Sequence, residues 1–378
     1  MSEEKRLLER IAEIRQVDED AILEALARQK SLVKPPGSLG GLESISIRIA
    51  GITGKPMGND MRQQAILVMA ADNGVVEEGV SVAPQSVTCT QTINMTKGIT
   101  GMSSMARYFD IDLLLVDLGI KLPVPKQYVT DRMLDDNGHL TDLIVNRRIG
   151  PGTANLAKGP AMSRQEAIHA ISVGVEAVDA AVKAGKRLLG VGEMGIGNTT
   201  TAAALLGCLT GFSAEPITGR GGGLNDTDMA KKVQVINDAI SRYKDVDDVI
   251  DKMAAVSGFD ICGMTGAFLG AAMNRVPIVI DGFISMVAAL AAKRIAPAST
   301  EYMFASHESF EKGYFTASER VGVSPMFNLG MRLGEGSGCP LAFKTIEAAC
   351  ASMDLMKTFA EASIDDSYLE EIREGNLF

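Results

Sequence analysis

The sequence predicts an α/β fold: a doubly wound, mostly parallel sheet with helices on both faces, plus a small helical domain formed from both chain ends. Two patterns predict it. From Ala65 onward, short apolar runs bounded by glycine alternate with helical stretches, as strands buried on both faces of a parallel sheet require. Both chain ends instead carry only the three-and-four-residue spacing of amphipathic helices. At 378 residues the chain is long enough for a full core and for more than one domain. The expected division is 1–60 with 340–378 for the helical domain and 61–339 for the large α/β domain.

Leu7, Leu8, Ile11 and Ile14, then Ile22, Leu23, Leu26 and Ala27, mark two short helices. Lys34-Pro35-Pro36-Gly37-Ser38-Leu39-Gly40-Gly41 breaks the pattern as a rigid loop, and residues 42–50 resume it. Strands are expected at Ile66-Leu67-Val68-Met69-Ala70, Leu113-Leu114-Leu115-Val116, Arg187-Leu188-Leu189-Gly190-Val191, Ile278-Val279-Ile280 and Tyr302-Met303-Phe304-Ala305. Residues 119–163 are polar, with Pro123, Pro125, Asn137-Gly138, Gly150-Pro151-Gly152 and Gly159-Pro160. A connection so long reads as a lid or binding loop, with a plain surface loop as the alternative. Ser163 and Glu166 form a capping box for a helix whose stripe is Ile168, Ile171, Val175, Val178 and Val182. The stretch from Leu341 to Ile364 is helical again and is expected beside the first helices.

With 46% hydrophobic and 22% charged residues the composition is that of an ordinary globular protein, and the formal charge of -10 argues against nucleic acid or an anionic membrane as partner. The longest apolar stretch, from Val276 to Ala292, is interrupted by Asp281 and Gly282, so no membrane span is expected. The opening Met1-Ser2-Glu3-Glu4-Lys5-Arg6 is too charged for a secretory signal, which points to the cytoplasm. Cys89, Cys208, Cys262, Cys339 and Cys350 are scattered, and His139, His169 and His307 lie far apart. Neither disulfides nor a metal site follows, no cofactor is expected, and catalysis falls to carboxylates and lysines.

The densest motif is Gly190-Val191-Gly192-Glu193-Met194-Gly195-Ile196-Gly197-Asn198-Thr199-Thr200, between an apolar strand and the helix-prone Ala202-Ala203-Ala204-Leu205-Leu206. A strand, a glycine turn and a helix start leave backbone N–H groups aimed at one spot, a cradle for phosphate. The competing reading is a turn that merely lets strand and helix pack closely. Gly190, Gly192 and Gly195 have the spacing of a dinucleotide fingerprint, and Gly192, Gly197 and Thr199 that of a P-loop with Asn198 in place of its lysine. Glu193 would repel a pyrophosphate lying across the turn, so a monophosphate ester beside a working carboxylate fits better.

Other strands are followed by polar or glycine-bearing clusters, Ala71-Asp72-Asn73-Gly74, Asp281-Gly282 and Ser306-His307-Glu308, at the edge where parallel sheets hold ligands. Each alone could be a turn with a helix cap. Gly219-Arg220-Gly221-Gly222-Gly223-Leu224-Asn225-Asp226 opens a helix bearing Lys231 and Lys232, which reads as close backbone approach plus a positive charge, or as a flexible loop with solvated lysines. Met331-Arg332-Leu333-Gly334-Glu335-Gly336-Ser337-Gly338 sets a glutamate among glycines, reachable by a flat ligand and suited to act as a base, or else a helix-ending turn.

Taken in order and spacing, Lys34 to Gly40, Ala71 to Val75, Gly192 to Thr200, Ser306-His307 with Glu311-Lys312-Gly313, and Arg332 to Gly338 resemble the nicotinate-nucleotide:dimethylbenzimidazole phosphoribosyltransferases. The resemblance covers the chain from about Lys34 to the helix after Gly338. It implies transfer of ribose phosphate from nicotinate mononucleotide to a benzimidazole-type base for the lower ligand of cobamides, usually by a homodimer. The family's general base maps onto Glu335, a second active-site glutamate onto Glu193 and an active-site lysine onto Lys232. Its phosphate-binding region matches Gly195, Gly197, Asn198, Thr199 and Thr200, with Ser306 and His307 added, and Gly221, Gly222, Asn225 and Leu333 complete the expected substrate contacts. Around the base, Gln91 and Met194 match family positions, whereas Ala83 stands where some members have serine, which widens the choice of azole.

The chemistry agrees with that assignment. Nicotinate is a pyridinium on the ribose and leaves as a neutral ring, whereas the incoming azole must shed a proton to one positioned carboxylate. The transition state puts positive charge on the sugar, which a second carboxylate could stabilise, and no step calls for a metal. Two other functions compete: a nicotinamide-dependent dehydrogenase, built on the glycine spacing with Glu215 as ribose partner, and a non-catalytic ligand-binding subunit of a cobamide pathway.

Overall fold

The computed structural model describes residues 2–369. Among these, eight strands form one all-parallel sheet: β1 (Gln64–Ala71), β2 (Asp112–Gly119), β3 (Val129–Thr130), β4 (Ile144–Asn146), β5 (Leu188–Met194), β6 (Ile278–Ile280), β7 (Met303–His307) and β8 (Pro325–Phe327). Their spatial order is β3-β4-β2-β1-β5-β6-β7-β8. The chain steps from β1 to β2, crosses to the edge strand β3 and fills the gap with β4, then returns to lay β5 against the other side of β1 and works outward to β8. A crevice therefore opens beyond the carboxyl ends of β1 and β5, where such sheets bind ligands.

All eight residues of β1 are buried, which explains its unbroken apolar run. Leu67 and Met69 face one apolar core with the helices Arg164–Lys183, Phe259–Met273 and Phe283–Ile295, while Ile66, Val68 and Ala70 face the other with Gly41–Thr53 and Cys339–Leu355. Two helices meet backbone to backbone: a Cβ at Gly174 would lie 1.9 Å from the Gly263 carbonyl oxygen, and one at Gly266 1.9 Å from that of Ile171. The capping box forms as expected, with Glu166 N donating to Ser163 Oγ at 3.2 Å and Ser163 N to Glu166 Oε2 at 2.8 Å.

Several expectations need correction. Strand β5 runs on through Glu193 to Met194, so the turn is only Gly195-Ile196-Gly197. Gly190 and Gly192 are spacers within the strand: added Cβ atoms would lie 2.6 Å from Cys339 Sγ and 2.4 Å from Glu335 O. The dinucleotide fingerprint fails for that reason, since protein fills the space a pyrophosphate would need, and Glu215 is occupied by Asn237 Nδ2 at 2.8 Å. The segment 119–163 is tied to the sheet at several points. It supplies β3 and β4, short and only partly buried, and is stitched down by Ile149 N to Leu118 O (2.8 Å), Thr153 N to Asp72 O (3.1 Å) and Ala161 N to Ala255 O (2.9 Å). Strand β8, three residues long, was equally illegible.

At the ends, the helices Glu3–Ala12 and Glu19–Ser31 form, but the second buries Ala21, Ala25 and Gln29 and leaves Leu23 62% exposed. The last helix stops at Leu355, after which Thr358 pairs with Leu32. Met1 and residues 370–378 of the expected small domain lie outside the described residues.

Candidate active site

The turn leaving β5 is pressed against the end of β1, because a Cβ at Gly195 would sit 2.2 Å from Ala71 O. Gly197, at φ 94°, supplies the left-handed residue that starts the helix Asn198–Thr210. Asn198 faces inward and donates from Nδ2 to Glu193 Oε2 and, at 3.0 Å, to Asp260 Oδ2. Thr199 accepts from Lys232 Nζ at 2.9 Å, and Thr200 is fully buried with no partner for its hydroxyl.

Lys232 comes from the helix Asp226–Tyr243 and is fully buried, its Nζ donating also to Gly219 O at 3.2 Å. Among the described residues it forms no ion pair within 4.0 Å. Burial pushes its ammonium down to about 8, with Glu311 opposing the shift. Gly221, left-handed at φ 53°, lies alongside: its Cβ would come 3.0 Å from Thr199 Oγ1 and 3.5 Å from Lys232 Nζ. Threonine, lysine and glycine backbone thus meet in one corner beside the cleft, with the Glu311 carboxylate near the lysine. Gly222 packs toward Val82, joining this loop to that of Ala83. Asn225 is engaged as the helix N-cap, accepting from Asp228 N at 2.9 Å.

Glu335 stands in a left-handed run: Gly334 has φ 82°, Glu335 φ 63° and Gly336 φ 90°. The run leaves no room for side chains on either side, since a Cβ at Gly334 would lie 2.4 Å from Glu193 Oε1. Glu335 is 6% exposed; Gln91 Nε2 donates to its Oε1 at 2.7 Å, while Oε2 has no partner. Its own N–H donates to Glu193 Oε1 at 3.1 Å, tying the two glutamates together. Burial, then the nearby Asp260 charge, pushes the Glu193 carboxyl up to about 8. Burial likewise raises Asp260 to about 6 and Asp281 to about 7.

Ser306 and His307 are both buried at the end of β7. Ser306 Oγ donates to Asp281 O at 2.8 Å and lies 3.0 Å from His307 Nδ1, and burial pushes His307 down to about 4. A neutral imidazole so engaged supplies no positive charge to a phosphate. Met194 is 8% exposed and belongs to the apolar cluster holding Cys89, whereas Leu333 is 55% exposed and reaches over Gly101.

The structure thus joins Glu335, Glu193, Gln91 and Asn198 in one network and Lys232, Thr199 and Gly221 in another. Both meet a cleft lined by Glu193, Thr199, Asp281, Glu311 and Leu333. Sequence reasoning missed Asp260, which opens a helix and follows no strand, so no motif flagged it. It placed Glu311 in a family motif and Asp281 at a strand end without assigning a use to either. No group of three or more His, Cys, Asp or Glu side chains disposed to hold a metal occurs among the described residues. The arrangement can hold an anionic ester, present an unpaired carboxylate oxygen to a donor, and keep a second carboxyl close to neutral.

A family model described as phosphoribosyltransferase matches residues 14–364. The chain is 46% identical over 363 residues, 96% of each chain, to the nicotinate-nucleotide-dimethylbenzimidazole phosphoribosyltransferase of Clostridium perfringens. It is 43% identical over 360 residues, 95% of this chain and 99% of the other, to the protein of that name from Alkaliphilus metalliredigens. A crystal structure of the Thermus thermophilus protein of that name superposes with a TM-score of 0.85 at 34% identity, over 93% of this chain and 100% of the other.

Proposed function

The chain belongs to the phosphoribosyltransferase family of those relatives, and from that premise we propose that it moves ribose 5-phosphate from nicotinate mononucleotide to 5,6-dimethylbenzimidazole or a related azole. The products are nicotinate and α-ribazole 5'-phosphate or its analogue, a lower-ligand precursor of cobamides. One observation carries the reading: Glu335 is buried with Oε1 held by Gln91 and Oε2 left without a partner. A buried acceptor kept unpaired in the free protein is suited to a donor that arrives with the substrate, and an azole N–H is such a donor.

In the reaction the azole nitrogen remote from Glu335 attacks C1', and the bond from C1' to the pyridinium breaks with its electrons returning to the ring. The azole proton passes to Glu335 Oε2. Attack opposite the leaving group converts a β linkage to an α linkage. Lys232, with Thr199 and the Gly221 backbone, takes the phosphate. Glu193, with Asn198 on one oxygen and the Glu335 N–H on the other, braces the base, and the positive charge developing on the ribose favours its ionised form. Gly195, Gly197 and Thr200 shape the cradle. Ala83 and Met194 border the base, and the small alanine leaves the choice of azole broad. The geometry offers nothing for the dehydrogenase reading, whose Gly190 and Gly192 are filled by the 335–339 segment and whose Gly195 is pressed on Ala71 O.

The test mixes protein, nicotinate mononucleotide and a panel of azoles and follows free nicotinate by chromatography. Release that depends on azole identity is expected. Release without azole, or base binding with no turnover, would overturn the assignment.

Three coarser features support further parts of the proposal. The helices Gly41–Thr53 and Cys339–Leu355 pack together, and Ala25, Ala50 and Met353 form their own apolar cluster, which groups the chain ends as a division of 1–60 with 340–378 beside 61–339 does, although both helices also cover one face of the sheet and Leu7 packs into the core on the other. Exposed Leu23 and Leu26 support a homodimer. All five cysteines are buried and free, which supports a cytoplasmic setting, and no helix among the described residues is long and apolar enough to cross a membrane.

A further inference from the structure

We propose that Asp281 is a positioning residue for Glu335, holding the base in place through the backbone of its turn; the inference rests on the assignment of Glu335 as the base. Asp281 follows β6 directly, so its side chain emerges at the sheet edge, where it is 2% exposed. Neither carboxylate oxygen is free: Oδ2 accepts from Gly336 N at 3.0 Å and Oδ1 from Gly338 N at 2.7 Å. These two N–H groups flank Glu335 on its carboxyl side, and Glu193 Oε1 takes the N–H of Glu335 itself. Two carboxylates from the ends of β5 and β6 therefore grip three backbone donors of one short turn.

The turn needs that grip. Three consecutive left-handed residues, one of them a glutamate, form a backbone that persists only where its surroundings over-determine it. A buried N–H without an acceptor is costly, so the turn would shift if Asp281 could not accept both. The far side is closed as well. A Cβ at Gly338 would lie 2.3 Å from Ser306 Oγ, 2.4 Å from His307 Nδ1 and 3.0 Å from Asp281 Oδ1. Ser306 Oγ in turn donates to the Asp281 carbonyl at 2.8 Å. Ser306 and His307 thus act on the base through Asp281.

The experiment compares the full-length protein with Asp281→Asn, Glu335→Gln and the double variant, measuring kcat and KM for nicotinate mononucleotide with benzimidazole, and melting of each variant. An asparagine keeps one acceptor and turns a donor toward the second N–H. Displacing the base by about an ångström should lower kcat about 100-fold while KM for the nucleotide stays within about threefold. Because Asp281 acts through Glu335, the double variant should be no slower than Glu335→Gln alone. Should Asp281→Asn not fold, Ser306→Ala is measured in both backgrounds, with a loss of about fivefold expected only where Glu335 is present. An unchanged kcat in Asp281→Asn, or losses that multiply in the double variant, would overturn the inference while leaving Glu335 as the base. Parental turnover by Glu335→Gln would remove the base assignment and this inference with it.

Discussion

Glu335 and Lys232 have in common a buried polar group whose natural partner is absent from the protein. For Glu335 the missing partner is a donor, so Glu335→Gln should cut turnover of benzimidazole by about 10² to 10⁴. On 1-methylbenzimidazole, which has no N–H to lose, the variant and the parent should release nicotinate at similar rates. For Lys232, which has only neutral oxygens within hydrogen-bond reach and Glu311 farther off, that partner is an anion in direct contact. Its ammonium is held down to about 8, so its charge fades as pH rises through that value, and KM for nicotinate mononucleotide should climb above about pH 8. Lys232→Met should start with a high KM that no longer varies across that range. Glu193 makes the opposite statement about stability. Its folded value is raised to about 8 from 4.5, so it contributes stability that is fully present below 4.5 and is lost as pH rises through about 8. Melting temperature should therefore fall between pH 6.5 and 8 in the free protein, and the fall should shrink in Glu193→Gln.

The elements that carry the site are held by glycines that admit backbone rather than by flexible turns. Gly190 and Gly192 inside β5 receive the 335–339 segment, and Gly174 and Gly266 let two helices touch main chain to main chain. Gly174→Ala, far from the cleft, should cost about 1–3 kcal/mol or more, because its methyl would have to push the Gly263 carbonyl aside. A urea melt checks this, and an unchanged midpoint would contradict the close approach. These glycines were visible in the sequence, but their use was not. A glycine in a strand and one in a turn look alike until the segment that fills the space is known, which is why β5 reads as ending three residues too early. The short strands β3, β4 and β8 escaped for a different reason: the equally short β6 is three buried apolar residues in a row, whereas β3, β4 and β8 are only partly buried and each includes a threonine, an asparagine or a proline.

Across the whole molecule, the order of strands brings residues from both halves of the chain to the crevice between β1 and β5. Leu23, at 62% exposure, and Leu26, at 37%, stand on a helix whose other face is buried, and a second copy of the chain would cover them. Sedimentation equilibrium should give about twice the 40.0 kDa of one chain. A monomer across the concentration range would defeat the homodimer. Saturating nicotinate mononucleotide should also raise the melting temperature, by an amount set by its concentration over Kd, with about 2.7 kcal/mol available at a hundredfold excess over Kd.

By itself the sequence determined the class of fold, the main strands, the capped helix 164–183 and the short segments that carry the chemistry. Each of these is written in a local period or a local cluster, which a chain displays before it folds. Only the tertiary structure decided which oxygen of Glu335 is engaged and which is left open, that Lys232 is buried near Glu311 with no ion pair within 4.0 Å among the described residues, and that Asp260 and Asp281 brace the site. Those facts depend on pairs far apart in the chain, 244 residues between Gln91 and Glu335 and 55 between Asp281 and Gly336. A hydrogen bond is decided by distance and burial in space, and neither quantity is carried by any local stretch of residues.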